Sequence, residues 1–231
     1  MRPGAVKRRV PGLPENLTSQ TDSSPLLVCF GDSLTAGYQV QVETGMPLPD
    51  VPYGGLLQEW LGARGKISVK GICGETTSDM VTRFSRDVID VGPSHTVILG
   101  GTNDLGWGVT PSTIITNLER CYTLALAAGV QPVGVTVPSI RAEGYDVGPL
   151  PAWLQAHLRY RLELNRLIAE RCERLQMPCV DLFQGTSDPP SSFLAARFSS
   201  DGLHLNGAGY LMFARLVWNA VFADRFGACP A

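Results

Sequence analysis

Two short segments of the 231-residue chain hold residue types that suit acyl chemistry. Gly31-Asp-Ser33-Leu34 closes an apolar run near the start, and Asp201-Gly-Leu-His204 precedes the last helix-like stretch. A serine hydroxyl is a weak nucleophile until a base takes its proton. His204 is the candidate base. Asp201, three residues earlier, can turn back to accept the other ring N–H, fix the tautomer and stabilise the imidazolium. An acid and a base on one short loop need little scaffold precision, because the local backbone sets their separation. Two further segments gather glycines and polar groups: Gly71-Ile-Cys73-Gly74-Glu75-Thr and Gly100-Gly-Thr-Asn103-Asp104-Leu105. Taken alone, Ser33 reads as a helix cap and Asn103 as a turn residue. Asp201 and His204 give the serine its chemical meaning.

The elements that must position these residues alternate along the chain. Short apolar runs at 26–30, 66–71, 95–101, 130–137 and 179–182 read as strands. Helical patterns follow at 53–64, 76–87, 111–128, 152–175 and 207–226. Pro111 in a first turn and Gly129 past a helix end fit helix boundaries. In the long helix, Leu154, Leu158 and Leu162 are placed on one apolar face. Near-continuous apolar strands alternating with helices imply a parallel sheet covered on both faces. The expected fold is α/β, with five strands in one domain over residues 25–231. Residues 1–24 read as a flexible tail. In such a sheet, ligands sit outside the carboxyl ends of the strands. The loops 38–52, 104–110, 138–151 and 183–200 are expected to gather there.

Composition excludes several classes. Nineteen basic against 21 acidic residues give a net charge of −2, which argues against a nucleic-acid or anionic-membrane footprint. No apolar run reaches the ~20 residues of a membrane span. Arg2, Lys7, Arg8 and Arg9 resemble a basic leader, but Val10-Pro-Gly-Leu-Pro stands where an apolar core of a signal would follow. None of the six cysteines forms a C-x-x-C pair, so no zinc or redox motif is present. Reduced thiols and a cytoplasmic location are expected.

The four polar blocks, in this order, resemble those of the SGNH hydrolases, the GDSL esterase/lipase family. The residues that match the family's naming positions are Ser33, Gly74, Asn103 and His204, and the resemblance covers nearly the whole chain from residue 26 onward. It implies a flavodoxin-like three-layer α/β/α sandwich with a central five-stranded parallel sheet. It implies a catalytic set of Ser33, Asp201 and His204, with an oxyanion hole from the N–H groups of Ser33 and Gly74 and the amide of Asn103. Glycine at 74 would allow a close backbone approach to the ligand. The α/β-hydrolases share the Ser…Asp…His order, but Ser33 has no G-x-S-x-G elbow and the acid sits beside the base.

The implied reaction is hydrolysis of an ester through an acyl-Ser33, with no metal and no organic cofactor. Asp32, Leu34, Leu105, Trp107 and Leu203, next to the matched residues, are the expected substrate contacts. Asp32 and Asp104 are also expected to brace the site loops. The loops carry Val40, Val42, Met46, Leu48, Val51, Val109, Ile140, Tyr145, Val147, Leu150 and Trp153, an apolar set. That suits a short or medium acyl or aryl ester better than a phosphorylated head group, with Arg141 as the one obvious anion handle. Thioesterase or lysophospholipase activity are variants. A carbohydrate O-acetylesterase is the alternative, and a non-catalytic ligand-binding relative is a third reading. His95 and His157 read as structural or solvent-facing, Cys73 as packing, and Asn165 as a polar core contact. The expected partner is a small-molecule ester, acted on by a monomer or small homo-oligomer.

Overall fold

The computed structural model describes residues 24–41, 44–141, 149–189 and 191–230. The expected tail, Val42, Tyr145 and Val147 lie outside the described residues, Ser24 alone of the tail being within them. Five parallel strands form the central sheet: β1 (Leu26–Gly31), β2 (Lys66–Gly71), β3 (His95–Leu99), β4 (Gln131–Val135) and β5 (Cys179–Val180). Their order is β2-β1-β3-β4-β5, all parallel. This is the flavodoxin-like order, whose direction of winding reverses between β1 and β3. Leu27 pairs with Ile67 on one side and with His95 on the other, so β1 is central and buried.

Helices cover both faces. α2 (Tyr53–Leu61) and the short α7 (Leu182–Thr186) pack with α8 (Gly207–Val221), and α3 (Thr77–Phe84), α5 (Pro111–Ala127) and α6 (Ala152–Arg174) pack in succession. Thr76 and Asp79 form a capping box at the start of α3, satisfying two orphan N–H groups. Pro111 opens α5, and Gly129 leaves it at φ +74°. The expected helix at 53–64 is α-helical only to Leu61 and then tightens to a 3-10 turn at 62–64. The expected helix at 76–87 passes into a π turn over Ser85–Ile89.

The inward face of α6 differs from the leucine row read in the sequence. Leu154, Arg161, Leu164, Asn165, Ile168 and Cys172 are buried, while Leu162 is exposed. The polar members explain the difference. Asn165 accepts from Val137 N at 2.7 Å and donates to Val137 O at 2.9 Å, so it pins the helix beyond the end of β4. A buried side chain that satisfies two backbone groups can hold an inward position that a leucine would otherwise take.

Candidate active site

Ser33 begins the one-turn helix α1 (Ser33–Ala36) directly beyond β1. Asp32 is extended, and its Oδ1 accepts the N–H of Leu34 at 3.0 Å, which caps that turn. As a first helical residue, Ser33 has an N–H with no intrahelical acceptor. β1 can end here only as glycine. A Cβ on Gly31 would meet Leu99 O at 2.2 Å.

Asp201 and His204 lie on the loop before α8. His204 Nδ1 and Asp201 Oδ2 are 2.7 Å apart. Asp201 Oδ1 accepts from the N–H groups of Leu203 and His204 at 2.9 and 2.7 Å. Burial pushes the carboxyl pKa upward, but the bonds from His204 and the two N–H groups outweigh it, and the value falls to about 2. A permanent carboxylate at Nδ1 assigns the proton there and leaves Nε2 as the basic nitrogen. Tyr38 packs on the imidazole in a T-shaped contact, with ring centroids 4.6 Å apart. Tyr210 from α8 donates to Tyr38 O at 2.8 Å and fixes that contact.

The ends of β2 and β3 are tied to each other. Asn103 lies in α4 (Thr102–Gly106), and its Nδ2 donates to Glu75 O at 2.8 Å. Asp104 accepts from the Thr77 hydroxyl at 2.7 Å and from Thr77 N at 2.9 Å. Arg83 pairs with Glu75, bonds Asp87 at 3.0 Å, and donates to Gly31 O at 3.0 Å and Lys70 O at 3.1 Å. The ends of β1 and β2 therefore share one buried guanidinium. Gly74 sits at φ +79°, and a Cβ there would point into open space. That left-handed backbone conformation by itself favours glycine at 74.

Ser33, Tyr38, Cys73, Gly74, Asn103, Leu203 and His204 line one cleft of about 400 Å³ at the switch between β1 and β3. A hydroxyl, an oriented imidazole and a fixed side-chain amide in one cleft can perform acyl transfer.

The GDSL-like lipase/acylhydrolase family model matches residues 29–212. The chain belongs to this family. It is 20% identical to a GDSL-like lipase from Bacteroides thetaiotaomicron, over 90% of this chain and 93% of that one, with a TM-score of 0.70. An acetylxylan esterase from Geobacillus stearothermophilus is 19% identical, over 87% and 95% of the two chains, with a TM-score of 0.69. These likenesses show the fold. An arylesterase from Vibrio mimicus is 31% identical over 119 residues, which span 51% of this chain and 56% of that protein.

Within this GDSL fold, the flanking residues divide. Leu203 borders the cleft, and both Leu203 and Trp107 border a second cavity of about 500 Å³. Asp32, Leu34 and Leu105 do not line either one, contrary to the expected substrate contacts. Their side chains are buried, because α1 and α4 turn them inward to anchor the loops. Asp32 is pushed up to about 7 by burial, opposed by its bond from Leu34. Met46, Leu48 and Val51 are exposed and line neither space.

Cys73 also departs from the packing expectation: it is exposed and faces the cleft. Partial burial and the charges of Asp50 and Asp32 raise its pKa, which favours the unreactive thiol. Sequence reasoning missed Tyr38, Arg83 and Arg161. Each stands in an ordinary helical or loop context, and only their tertiary partners mark them. His157 is half-buried on the wall of the second cavity, not merely solvent-facing. Among the described residues, no group of three or more His, Cys, Asp or Glu could hold a metal ion, and no helix is long and apolar enough to cross a membrane.

Proposed function

We propose that the chain is a serine esterase that hydrolyses carboxylic esters through an acyl-Ser33. The observation that carries this reading is the convergence of Ser33, Gly74, Asn103 and His204 on one cleft, with Asp201 bonded to His204 at 2.7 Å. Ser33 Oγ attacks the carbonyl carbon while His204 Nε2 takes the hydroxyl proton. The carbonyl oxygen becomes an oxyanion, held by the N–H groups of Ser33 and Gly74 and by Asn103 Nδ2. Collapse breaks the ester C–O bond, and His204 returns its proton to the leaving alcohol. Water, deprotonated by the same imidazole, then releases the acid and restores Ser33. No step requires a cofactor.

The substrates are short to medium acyl or aryl esters, with thioester and lysophospholipid cleavage as variants. The match to an arylesterase supports the aryl choice. A second reading, deacetylation of a carbohydrate, is favoured by Trp107, whose 80% exposure beside the second cavity leaves a surface for stacking on a sugar. The acetylxylan esterase of similar fold supports it too. A cytoplasmic location is part of the proposal. Replacement of Ser33 by Ala should abolish hydrolysis of p-nitrophenyl butyrate; full activity in that variant overturns the mechanism. A panel of acyl lengths beside acetylated xylan separates the two readings.

A further inference from the structure

The second cavity opens beside the proposed oxyanion hole, since Asn103 and Leu203 border both spaces. Its volume, about 500 Å³, suits a small organic group. Arg161 of α6 forms part of its wall and is 1% exposed. The Nε of Arg161 donates to His157 Nε2 at 3.2 Å, and its Nη1 donates to Pro138 O. Among the described residues no carboxylate pairs with Arg161 at salt-bridge distance. Asp32 acts on it only through space. A buried cation without a paired anion is costly to keep.

His157 cannot be that anion, nor does it add a second cation. A guanidinium has no acceptor, so His157 Nε2 must present its lone pair and the ring proton sits on Nδ1. Burial, with Arg161 adding to it, lowers the imidazole pKa to about 4, so the ring is a neutral N–H donor at neutral pH. Arg141 borders the same cavity. Its Nη2 reaches Ser199 O at 3.4 Å, and no carboxylate pairs with it among the described residues. Asp201 is the acidic residue on this wall, and both its oxygens are engaged by His204 and two N–H groups. Among the described residues the cavity therefore presents two guanidiniums against one committed carboxylate.

We propose that this cavity selects esters that carry a carboxylate away from the scissile bond, held by Arg161 and Arg141. The inference rests on the esterase reading and names its substrate class. Asn103 at the shared border would hold the reacting carbonyl oxygen, so one molecule can reach both spaces. Arg161 uses two of its five N–H groups internally, which leaves three for a ligand. A planar carboxylate matches the guanidinium fork.

The test compares kcat/KM within two matched pairs. Phenyl acetate against 4-acetoxybenzoate puts the charge on the alcohol side. p-Nitrophenyl butyrate against mono-p-nitrophenyl glutarate puts it on the acyl side. We expect the charged ester of at least one pair to be preferred by about tenfold or more, as charge-assisted bidentate bonds to a partly dry guanidinium allow. The ratio of charged to neutral ester should collapse in Arg161→Gln, with folding checked by circular dichroism. Arg141→Gln, on the cavity edge, gives the same readout if the buried substitution does not fold. Calorimetric binding of the two charged esters to Ser33→Ala reads the pocket without turnover. Preference for the neutral ester in both pairs, or a ratio unchanged in both arginine variants, overturns the proposal. Loss of the esterase reading looks different: neither neutral ester is cleaved, while the charged ester still binds.

Discussion

The side-chain amide of Asn103 donates to the backbone carbonyl of Glu75 at 2.8 Å, across 28 residues of sequence. One amide hydrogen thereby fixes the side chain, and the second remains for the proposed oxyanion contact. The site is oriented before any substrate arrives, which is what electrostatic stabilisation requires. Asn103→Ala should lower kcat on p-nitrophenyl butyrate by about 10²–10³-fold, the usual loss for one such donor, with a smaller change in KM. Steady-state kinetics of the purified variant measure it.

Arg83 supports that same loop through Glu75. The two side chains are 6% and 12% exposed, so removing the arginine strands a buried carboxylate. Arg83→Met should cost about 3–5 kcal/mol in urea unfolding, the range for a broken buried pair. Arg166 and Glu170 make a similar pair on the surface of α6, with side chains 59% and 51% exposed. Arg166→Ala should cost no more than about 1 kcal/mol, because water screens the charges.

Two glycines of the site should fail in opposite ways. A Cβ on Gly31 would press on Leu99 O at 2.2 Å and Thr35 Oγ1 at 2.5 Å. Gly31→Ala should therefore lose stability, by about 1–3 kcal/mol or more, as overpacking does. Gly74 has room for a side chain but holds φ +79°. Gly74→Ala should cost about 1–2 kcal/mol of backbone strain. Its larger effect should be on kcat, since relaxing the strain re-aims the N–H. Thermal unfolding and kinetics on the same samples distinguish the two outcomes.

The pH profile should show one acid limb. Asp201 is pulled from 3.8 to about 2, so it stays ionised wherever the enzyme works. The fall of kcat/KM toward acid therefore does not report protonation of Asp201. A depressed carboxyl pKa stabilises the fold above the unfolded value of 3.8, and that contribution is lost as pH falls through about 2. Asp201→Asn should remove this part of the acid sensitivity in urea titrations, along with most of the activity.

Much of this was readable from the chain alone. The alternation of apolar strands and helices gave the parallel sheet, and the order Ser33, Gly74, Asn103, His204 identified the family blocks. Local chemistry explains that success. Asp201 and His204 need only three residues of backbone to meet, and Asp32 caps α1 within two. The roles of the flanking apolar residues were less legible. Leu34 and Leu105 stand beside matched residues yet turn into the core, because consecutive positions of a helical turn face different directions.

What the sequence determined by itself was the repertoire: which groups the chain can bring to a strand end, and in what order. What tertiary structure decided was their company. Arg83 bonds carbonyls of Gly31 and Lys70, and Arg161, with no carboxylate paired to it among the described residues, stands beside the Asn103 border. Neither relationship has a sequence spacing to betray it. The two guanidiniums have the same chemistry in isolation. The sheet order places one among carboxylates and the other at the wall of an open cavity, and burial turns that difference in surroundings into a difference in role.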